Sequence, residues 1–326
     1  MNNIAINGIG RIGKLVLKTL ISRNFNIKHV NELSGDINSL MHSIEFDSIH
    51  GKWVAEFQKK ENELIINEHK IKTSFVDNIE LLNLENIDIL IDCTGENKSS
   101  IELSKYFKLG IKKVIVSAPI NEPRIANIVY GVNQTSYNPS QHNIITAASC
   151  TTNCIAPIIK VLHDNIGIRH GSITTIHNIT NSQTLIDLPH RDQRRGRSAL
   201  NNLIPTTTGS AEAISLIYPE LKGKLNGHAI RVPVLNASLT DCVFEMKSNT
   251  NTNEINEIFK NASRGELKAI LGYEERPLVS SDYVNDPRSS IIDALSTMVI
   301  NETQVKIYAW YDNEWGYVNR LADIVK

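Results

Sequence analysis

The first half of the chain alternates short apolar runs with segments of helical spacing. Apolar residues dominate Asn3–Asn7, which predicts a strand, and a glycine-rich turn follows at Gly8–Gly13. The spacing of apolar residues in Lys14–Ser22 predicts a helix. Further apolar runs predict strands at Ile27–Val30, Ile87–Cys93, Lys113–Ser117 and Asn143–Ala147. Because strands that alternate with helices need crossover connections, we expect an α/β fold with a Rossmann-type, doubly wound parallel sheet.

The second half has longer β-type runs with few helices between them. After a helix predicted at Asn153–Asp164, the runs are Ser172–Ile179, Ala229–Val232, Ser238–Phe244 and Val305–Tyr311. Consecutive strands of this kind favour a mostly antiparallel sheet in an α+β domain. The polar segment Asp187–Ser198 is predicted to be a long loop. We expect a first domain at residues 1–148, with the last helix, 315–326, packing back on it, and a second domain at residues 149–314.

Composition narrows the class of protein. The chain has 326 residues, and 34 Lys plus Arg against 35 Asp plus Glu leave a net charge of −1. That balance provides no broad basic field, so neither nucleic acid nor a membrane surface is expected as a partner. Four scattered cysteines are too few for a disulfide framework. The sequence begins without a recognisable secretory leader and contains no long apolar run, so we expect a cytoplasmic protein.

The glycine-rich turn has the spacing of a dinucleotide-binding motif. Gly8 permits a tight turn, Gly10 lets the backbone approach a pyrophosphate, and Gly13 permits close packing of the helix. A purely structural turn is the alternative. Glu32 follows the next predicted strand, about 20 residues on, where a carboxylate binds ribose hydroxyls and repels a 2′-phosphate. The motif together with Glu32 therefore indicates NAD rather than NADP. The alternative is that Glu32 is only a solvated charge in a loop.

A cysteine at the start of a predicted helix is the candidate nucleophile. Cys150 lies in the segment S-C-T-T-N-C, where the helix N-terminus would favour a thiolate. His177 ends an apolar strand and could take the thiol proton. A core cysteine and a hydrogen-bonded strand-end histidine are the alternatives. Cys154, four residues later, fits a packing role. The short spacing between the two cysteines also raises a zinc or redox site, but no second cysteine or histidine pair has metal-ligand spacing, so no metal is expected.

Several residues could bind an anion. The segment Thr206–Gly209 leads into a helix predicted at Ser210–Ile217, whose N-terminus could hold a phosphate. Arg231 lies within an apolar strand, where an isolated charge needs a partner such as a phosphate. The polar loop adds four arginines that could instead form surface or subunit-interface pairs, namely Arg191, Arg194, Arg195 and Arg197.

Together these residues resemble the phosphorylating glyceraldehyde-3-phosphate dehydrogenase family over essentially the whole chain. The matching segments occur in the family's order: I-N-G-I-G-R-I-G, F-D-S-I-H-G-K, V-S-A-P, A-A-S-C-T-T-N-C-I-A-P, I-P-T-T-T-G-S-A, L-N-G-H-A-I-R-V-P and W-Y-D-N-E-W-G-Y. The resemblance implies an NAD-dependent enzyme in which Cys150 attacks the aldehyde of glyceraldehyde 3-phosphate and His177 accepts its proton. A thioester on Cys150 is then cleaved by inorganic phosphate. It also implies a homotetramer.

The resemblance implies a role for each matching residue. Contacts to NAD fall on Gly8, Gly10, Arg11, Ile12, Gly13, Glu32, Thr94, Ser117 and Asn313, of which Asn313 orients the nicotinamide carboxamide. Contacts to the substrate and to the attacking phosphate fall on Ser149, Thr151, Thr180, Arg195, Thr208, Gly209 and Arg231. The pair Leu188-Pro189 resembles that of the NAD-using members.

Two positions depart from the family's usual pattern. Ser182 stands where most members have aspartate, and Glu32 is one methylene longer than the usual aspartate, so the substrate-phosphate and ribose contacts must differ. Several segments look closest to a branch encoded beside an arsenic-efflux transporter, in which arsenate replaces phosphate and the product is 1-arseno-3-phosphoglycerate. Arsenate resistance is therefore one hypothesis for the physiological role. A related enzyme such as erythrose-4-phosphate dehydrogenase is an alternative, although the I-P-T-T-T-G segment and the P-H-R-D loop resemble the glyceraldehyde enzyme better. A non-catalytic binding protein on the same fold is expected to have lost the cysteine, the histidine or the phosphate ligands, and all of them are present.

Overall fold

A computed structural model describes residues 2–325. Its internal contacts divide the chain into two compact units, residues 1–149 with 318–326 and residues 150–317. Within the described residues, no helix combines the length and the apolar character needed to cross a membrane.

The first unit is built around a nine-stranded sheet. Its elements in chain order are β1 (Asn3–Asn7), α1 (Arg11–Ser22), β2 (Asn26–Asn31), α2 (Ile37–Glu45), β3 (Phe57–Lys60), β4 (Glu63–Ile66), β5 (His69–Ser74), β6 (Ile89–Asp92), α3 (Ser100–Leu103), α4 (Lys105–Lys108), β7 (Lys113–Val116), β8 (Ala126–Asn127) and β9 (Ile144–Thr146). The strand order is β3-β4-β5-β2-β1-β6-β7-β9-β8.

The parallel strands of this sheet confirm the doubly wound prediction. From β5 across to β8 every neighbouring pair is parallel, and only β3-β4 and β4-β5 are antiparallel. The chain starts at β1, moves outward through β2, and returns to the other side of β1 at β6. The strand order therefore reverses between β1 and β6, which is where sheets of this type bind ligands at their carboxyl ends.

The second unit contains an eight-stranded sheet. Its elements are α5 (Cys150–Asn165), β10 (Ile168–Asn178), β11 (Ile204–Thr207), α6 (Ser210–Ile217), β12 (Leu225–Val232), β13 (Ser238–Met246), α7 (Thr252–Arg264), β14 (Leu271–Glu274), β15 (Ser290–Asp293), β16 (Met298–Ile300) and β17 (Gln304–Tyr311), followed by α8 (Trp315–Val325). The main strand order is β11-β12-β10-β13-β17-β15-β14. As expected the sheet is mostly antiparallel, although β10-β12 and β14-β15 are parallel pairs.

The last helix extends from the second unit into the first. Its apolar face is buried, as the spacing of Val318, Leu321 and Ala322 predicts. Within the first unit, Arg23 at the end of α1 donates to Asp323 at 2.8 Å and to Asn319 at 2.5 Å. These two bonds connect the end of the chain to α1.

Several predicted boundaries were wrong by about one helical turn. Helix α1 begins at Arg11 rather than Lys14, and α5 begins at Cys150 rather than Asn153. The first turn of a helix carries small or polar residues as readily as apolar ones, so apolar periodicity does not detect it. Thr206 and Thr207 belong to β11, so only Thr208 and Gly209 connect this strand to α6.

Candidate active site

Apart from Asn313, which follows β17 in the second unit, the residues predicted to contact a dinucleotide meet at one edge of the first sheet. Each of them follows one of four adjacent parallel strands, β2, β1, β6 and β7. The turn at residues 8–13 follows β1, Glu32 follows β2, Thr94 follows β6 and Ser117 follows β7. Because the carboxyl ends of parallel strands lie together, the fold brings these residues to the edge where the strand order reverses.

The three glycines of the turn have different steric surroundings. Gly8 has a φ of +88°, and a Cβ there would lie 2.8 Å from the carbonyl carbon of Cys93. A Cβ on Gly13 would overlap the carbonyl oxygen of Gly8. A Cβ on Gly10 would meet no atom within 4 Å. Gly8 and Gly13 are therefore required by the fold, whereas the space beside Gly10 is open to a ligand.

The groups around this turn fit a bound dinucleotide. Gly10 is the N-cap residue of helix α1 and provides no side-chain cap, and the first turn has no acidic residue, which leaves the helix N-terminus suited to a pyrophosphate. Glu32 accepts the backbone N–H of Ile9 at 2.7 Å on one oxygen and that of Ser34 at 3.1 Å on the other. Since each carboxylate oxygen has further accepting capacity, Glu32 can also bind ribose hydroxyls.

The side chain of Arg11 has a defined partner beside the turn. Its guanidinium donates to Asp47 at 2.6 Å, and Lys14 donates to the same oxygen at 2.7 Å. Asp47 also accepts the backbone N–H groups of Ile49 and His50. The F-D-S-I-H-G-K segment thus holds the first turn of α1.

A buried hydrogen-bond network that the sequence analysis missed supports the loop after β6. Asp92 is almost fully buried, and its carboxylate accepts hydrogen bonds from the hydroxyls of Thr94 at 2.7 Å and Tyr106 at 2.8 Å. Tyr106 also accepts from Asn7 at 2.6 Å. An acidic residue ending an apolar strand, with a tyrosine at a later helix position, gives little sign of such a network before the fold is known.

In the second unit, the structure brings the predicted nucleophile and base together. Cys150 is the first residue of α5, and its Sγ lies 3.7 Å from Nε2 of His177. The hydroxyl of Thr151 is 3.9 Å from the same sulfur and 3.0 Å from the hydroxyl of Tyr311. Tyr311 also meets the His177 ring edge-on. In the sequence Tyr311 stands out only as part of the W-Y-D-N-E-W-G-Y motif, which does not predict its place beside the thiol.

Opposing effects act on the protonation of this pair. Burial raises the pKa of the Cys150 thiol, although Thr151 and the charge of Arg231 act in the opposite direction. Burial, together with the charge of Arg231, lowers the pKa of His177 to about 3. Burial therefore acts against the charged form of both groups.

Arg231 is bonded directly to the candidate base. Strands β10 and β12 pair in parallel, with His177 opposite Arg231. Nη1 of Arg231 donates to Nδ1 of His177 at 2.5 Å and to the carbonyl of Asn178 at 3.1 Å. Nδ1 of His177 is also 2.9 Å from that carbonyl, and it donates to the carbonyl in the tautomer that carries its proton on Nδ1. In this Nδ1–H tautomer Nε2 is unprotonated and can accept the thiol proton.

The surroundings of Arg231 also fit an anion. Among residues 2–325 no carboxylate forms an ion pair with it, and its buried Nε has no hydrogen-bond partner there. Burial is the main cause that lowers the pKa of Arg231; Cys150 and Tyr311 act in the opposite direction, and the charge of Arg195 adds a smaller lowering effect. Nε of Arg195 donates to Thr206 at 2.9 Å and faces Asp192 at 3.4 Å. A bound anion would supply the negative charge that pairs with the Arg231 guanidinium.

Three further predicted anion ligands lie in loops of the second unit, whereas Ser149 is the last residue of the first unit before α5. Thr208 and Gly209 join β11 to α6, and the hydroxyl of Thr208 accepts the N–H of Ser210 at 3.3 Å. Thr180 follows β10, and its hydroxyl lies 2.9 Å from that of Ser182. Ser182 also accepts from Gln183, so neutral groups occupy this position.

The arginine-rich segment is a loop, as predicted. Arg197 pairs with Asp187 at 2.7 Å, and both side chains are more than half exposed. Such an exposed pair agrees with the surface role considered for Arg197. The loop's arginines thus differ in role, because Arg195 is bonded to Thr206 of β11.

Comparison with known proteins decides the family. The family model described as "Glyceraldehyde 3-phosphate dehydrogenase, C-terminal domain" matches residues 149–313. The family model described as "Glyceraldehyde 3-phosphate dehydrogenase, NAD binding domain" matches residues 2–100. The chain belongs to the glyceraldehyde-3-phosphate dehydrogenase family. It is 53% identical to glyceraldehyde-3-phosphate dehydrogenase 3 of a Nostoc species over 99% of this chain and 97% of the relative. It is 47% identical to glyceraldehyde-3-phosphate dehydrogenase 1 of Bacillus subtilis over 98% and 96%.

Family membership gives the class of enzyme and its cofactor. The protein is an NAD-dependent dehydrogenase of the glyceraldehyde-3-phosphate dehydrogenase family, as the sequence motifs predicted. NAD matches the open space beside Gly10, the uncapped start of α1 and the position of Glu32.

Proposed function

We propose that this enzyme oxidises D-glyceraldehyde 3-phosphate through a thioester on Cys150, with phosphate or arsenate as the acyl acceptor. The observation that carries the proposal is the 3.7 Å approach of Cys150 Sγ to His177 Nε2, beside the half-buried Arg231, with which no carboxylate pairs among the described residues. A nucleophile, a base and an anion site in one unit match an aldehyde that carries a phosphate.

The two residues of the pair divide the first chemical step. Sγ of Cys150 bonds to the aldehyde carbon, the π electrons of the carbonyl move to its oxygen, and the thiol proton passes to Nε2 of His177, so the hemithioacetal forms as its oxyanion. Protonation of His177 requires Nδ1–H to donate to the carbonyl of Asn178, so Arg231 must release Nδ1. A substrate phosphate that binds Arg231 favours this release and offsets the charge that lowers the pKa of His177.

The later steps release the acyl group. When bound, NAD supplies the acceptor for the hydride that leaves the hemithioacetal carbon. His177 holds the proton that came from the thiol of Cys150, and this proton must later return to the sulfur or be lost to solvent. An oxygen of phosphate then bonds to the thioester carbonyl carbon, the carbon–sulfur bond breaks, and Cys150 is free again. The products are 1,3-bisphosphoglycerate and NADH.

The roles of individual binding residues belong to the same proposal. We assign substrate and phosphate contacts to Ser149, Thr151, Thr180, Arg195, Thr208, Gly209 and Arg231, and nicotinamide orientation to Asn313. We assign NAD binding to residues 1–148 with helix 315–326, and catalysis to residues 149–314. A homotetramer acting in the cytoplasm is proposed from the resemblance to the family.

The acceptor is tested by steady-state turnover. NADH formation is followed with glyceraldehyde 3-phosphate in phosphate, in arsenate, and with neither. The thioester mechanism predicts that without an acceptor NADH formation stops after about one equivalent per subunit and resumes when phosphate is added. Unlimited turnover without an acceptor, or activity retained in Cys150→Ser, would contradict it. Faster turnover with erythrose 4-phosphate would assign a different substrate.

Arsenate detoxification as the main physiological role is a narrower proposal. It is supported by the segments that look closest to the arsenic-associated branch. It predicts a kcat/KM for arsenate well above that for phosphate, and loss of arsenate tolerance when the gene is deleted. Equal kcat/KM values with unchanged tolerance would leave ordinary phosphorylating oxidation as the function.

A further inference from the structure

A row of polar residues, called the polar row below, ends four neighbouring parallel strands of the first sheet. Its members are Ser74 of β5, Asn31 of β2, Asn7 of β1 and Asp92 of β6, and the strand register sets each beside the next. Asn31, Asn7 and Asp92 are almost fully buried. The fully buried Tyr106 of α4 joins the row between Asn7 and Asp92. The polar row thus lies at the sheet edge where the predicted NAD contacts of the first unit meet.

The hydrogen bonds of the polar row run in one direction. Oδ1 of Asn31 accepts the backbone N–H of Val76 at 3.1 Å, and Nδ2 donates to the carbonyl of the same residue at 2.9 Å, which fixes the orientation of this amide. Its NH₂ also donates to Oδ1 of Asn7 at 2.8 Å, so the NH₂ of Asn7 donates to the hydroxyl of Tyr106 at 2.6 Å. The hydroxyl proton of Tyr106 therefore goes to Asp92, at 2.8 Å.

The carboxylate of Asp92 also accepts hydrogen bonds from the loop that follows β6. Oδ1 accepts the backbone N–H of Thr94 at 3.0 Å and the hydroxyl of Thr94 at 2.7 Å, and Oδ2 accepts the NH₂ of Asn97 at 2.7 Å. The Tyr106 hydroxyl is bonded to the same oxygen as Asn97. Tyr106 is the one of these donors that lies outside the loop. Its bond therefore ties the carboxylate, and with it the loop, to α4.

We propose that Tyr106 is a positioning residue for the cofactor. Its hydroxyl holds the Asp92 carboxylate, and the carboxylate holds Thr94 and Asn97 in the conformation that receives the ADP-ribose part of NAD. This inference rests on the proposed contact between Thr94 and NAD. Because Tyr106 is fully buried, it acts through Asp92 without touching the ligand. When its hydroxyl is removed, the carboxylate is free to turn, and binding must restore the order of the loop.

The test compares Tyr106→Phe with a matched control, Ser74→Ala. Each removes one hydroxyl from the same hydrogen-bond network, but the hydroxyl of Ser74 contacts Asn31 at 2.7 Å and His29 at 2.8 Å, at the end of the row away from Asp92. Thermal unfolding should show a lower Tm for both variants. Calorimetry with ADP-ribose should show binding weakened about 5- to 10-fold in Tyr106→Phe and unchanged in Ser74→Ala.

Steady-state kinetics give a second readout. In Tyr106→Phe the KM for NAD should rise by about the same factor as the dissociation constant of ADP-ribose, whereas kcat at saturating NAD should not fall. A lower kcat with an unchanged KM would overturn the inference, because a loop that only receives the cofactor acts on binding.

A double-mutant cycle tests the route through Asp92. If Tyr106 acts through the carboxylate, adding Tyr106→Phe to Asp92→Asn should weaken ADP-ribose binding by less than about twofold further. A further loss as large as that of the single Tyr106→Phe variant would show another route and overturn the inference. If Asp92→Asn does not fold, the comparison of Tyr106→Phe with Ser74→Ala still decides.

A Thr94→Ala variant separates failure of the inference from failure of the proposed contact. If Thr94→Ala weakens ADP-ribose binding while Tyr106→Phe does not, Thr94 contacts the cofactor and Tyr106 does not position it. If Ser74→Ala weakens binding as much as Tyr106→Phe, the effect is a general loss of order and the inference is overturned. If Thr94→Ala leaves the affinity unchanged, the assignment of Thr94 itself is wrong, and the inference falls with it.

Discussion

The glycine-rich turn offers a sharp test of the cofactor site, because Gly13 is required for the packing of the fold whereas Gly10 leaves space for a ligand. In Gly13→Ala the new Cβ would overlap the carbonyl oxygen of Gly8, while lying 2.9 Å from its carbonyl carbon and 3.3 Å from Cβ of Cys93. Two of these three are backbone atoms, so α1 must move away from β1. In Gly10→Ala the new Cβ meets nothing within 4 Å, and φ of −70° is accessible to alanine.

The expected magnitudes differ accordingly. Overpacking of this kind costs about 3 kcal/mol, the upper part of the usual range, because backbone rather than a flexible side chain must give way. For a domain of this size each kcal/mol lowers Tm by about 2–4 °C, so Gly13→Ala should lose roughly 6–12 °C. Gly10→Ala should melt within about 1 °C of the wild type, since no contact changes in the free protein.

The assay combines thermal unfolding without NAD and calorimetric titration with NAD. Gly10→Ala should weaken NAD binding by at least about tenfold, because its methyl group occupies the space that a pyrophosphate would enter. An unchanged Tm for Gly13→Ala would refute the steric argument. Normal NAD affinity in Gly10→Ala would show that the pyrophosphate does not bind beside this turn.

Three further predictions concern other parts of the molecule. Cys150→Ser should lower turnover by at least about a thousandfold while NAD affinity, measured by calorimetry, stays unchanged; near-normal turnover would exclude the thioester. Arg231→Leu should raise the pKa of His177 from about 3, because one of the two causes of its depression is removed, yet leave it below 6.5 because burial remains. NMR titration of the imidazole measures this, and an unchanged pKa would show that the arginine charge has no effect. Asp47→Asn should destabilise the protein by about 1–3 kcal/mol at pH 7, as two cations lose their partner. The native pKa of Asp47 lies below its ordinary value of 3.8, so the stabilisation is present above that pH, and the difference in Tm should narrow as the pH falls below it. A difference independent of pH would contradict the role of its charge.

Much of the site was predictable because its signals are local. The spacing of Gly8, Gly10 and Gly13 is set by backbone sterics within a single turn, and so it can be recognised without a fold. The nucleophile and the base were identified from residue type and from position beside a helix start and a strand end. Boundaries of α1 and α5 were less certain, since first-turn residues show no apolar periodicity.

The sequence by itself determined the succession of strands and helices, the dinucleotide motif and the reactive residue types, because each depends on neighbours along the chain. Only the tertiary structure decided which distant residues meet. Arg231 bonds to His177 because β10 and β12 pair in parallel and in one register. The polar row that ends at Asp92 forms for the same kind of reason. Burial, which raises the pKa of Cys150, likewise depends on packing that no local pattern records.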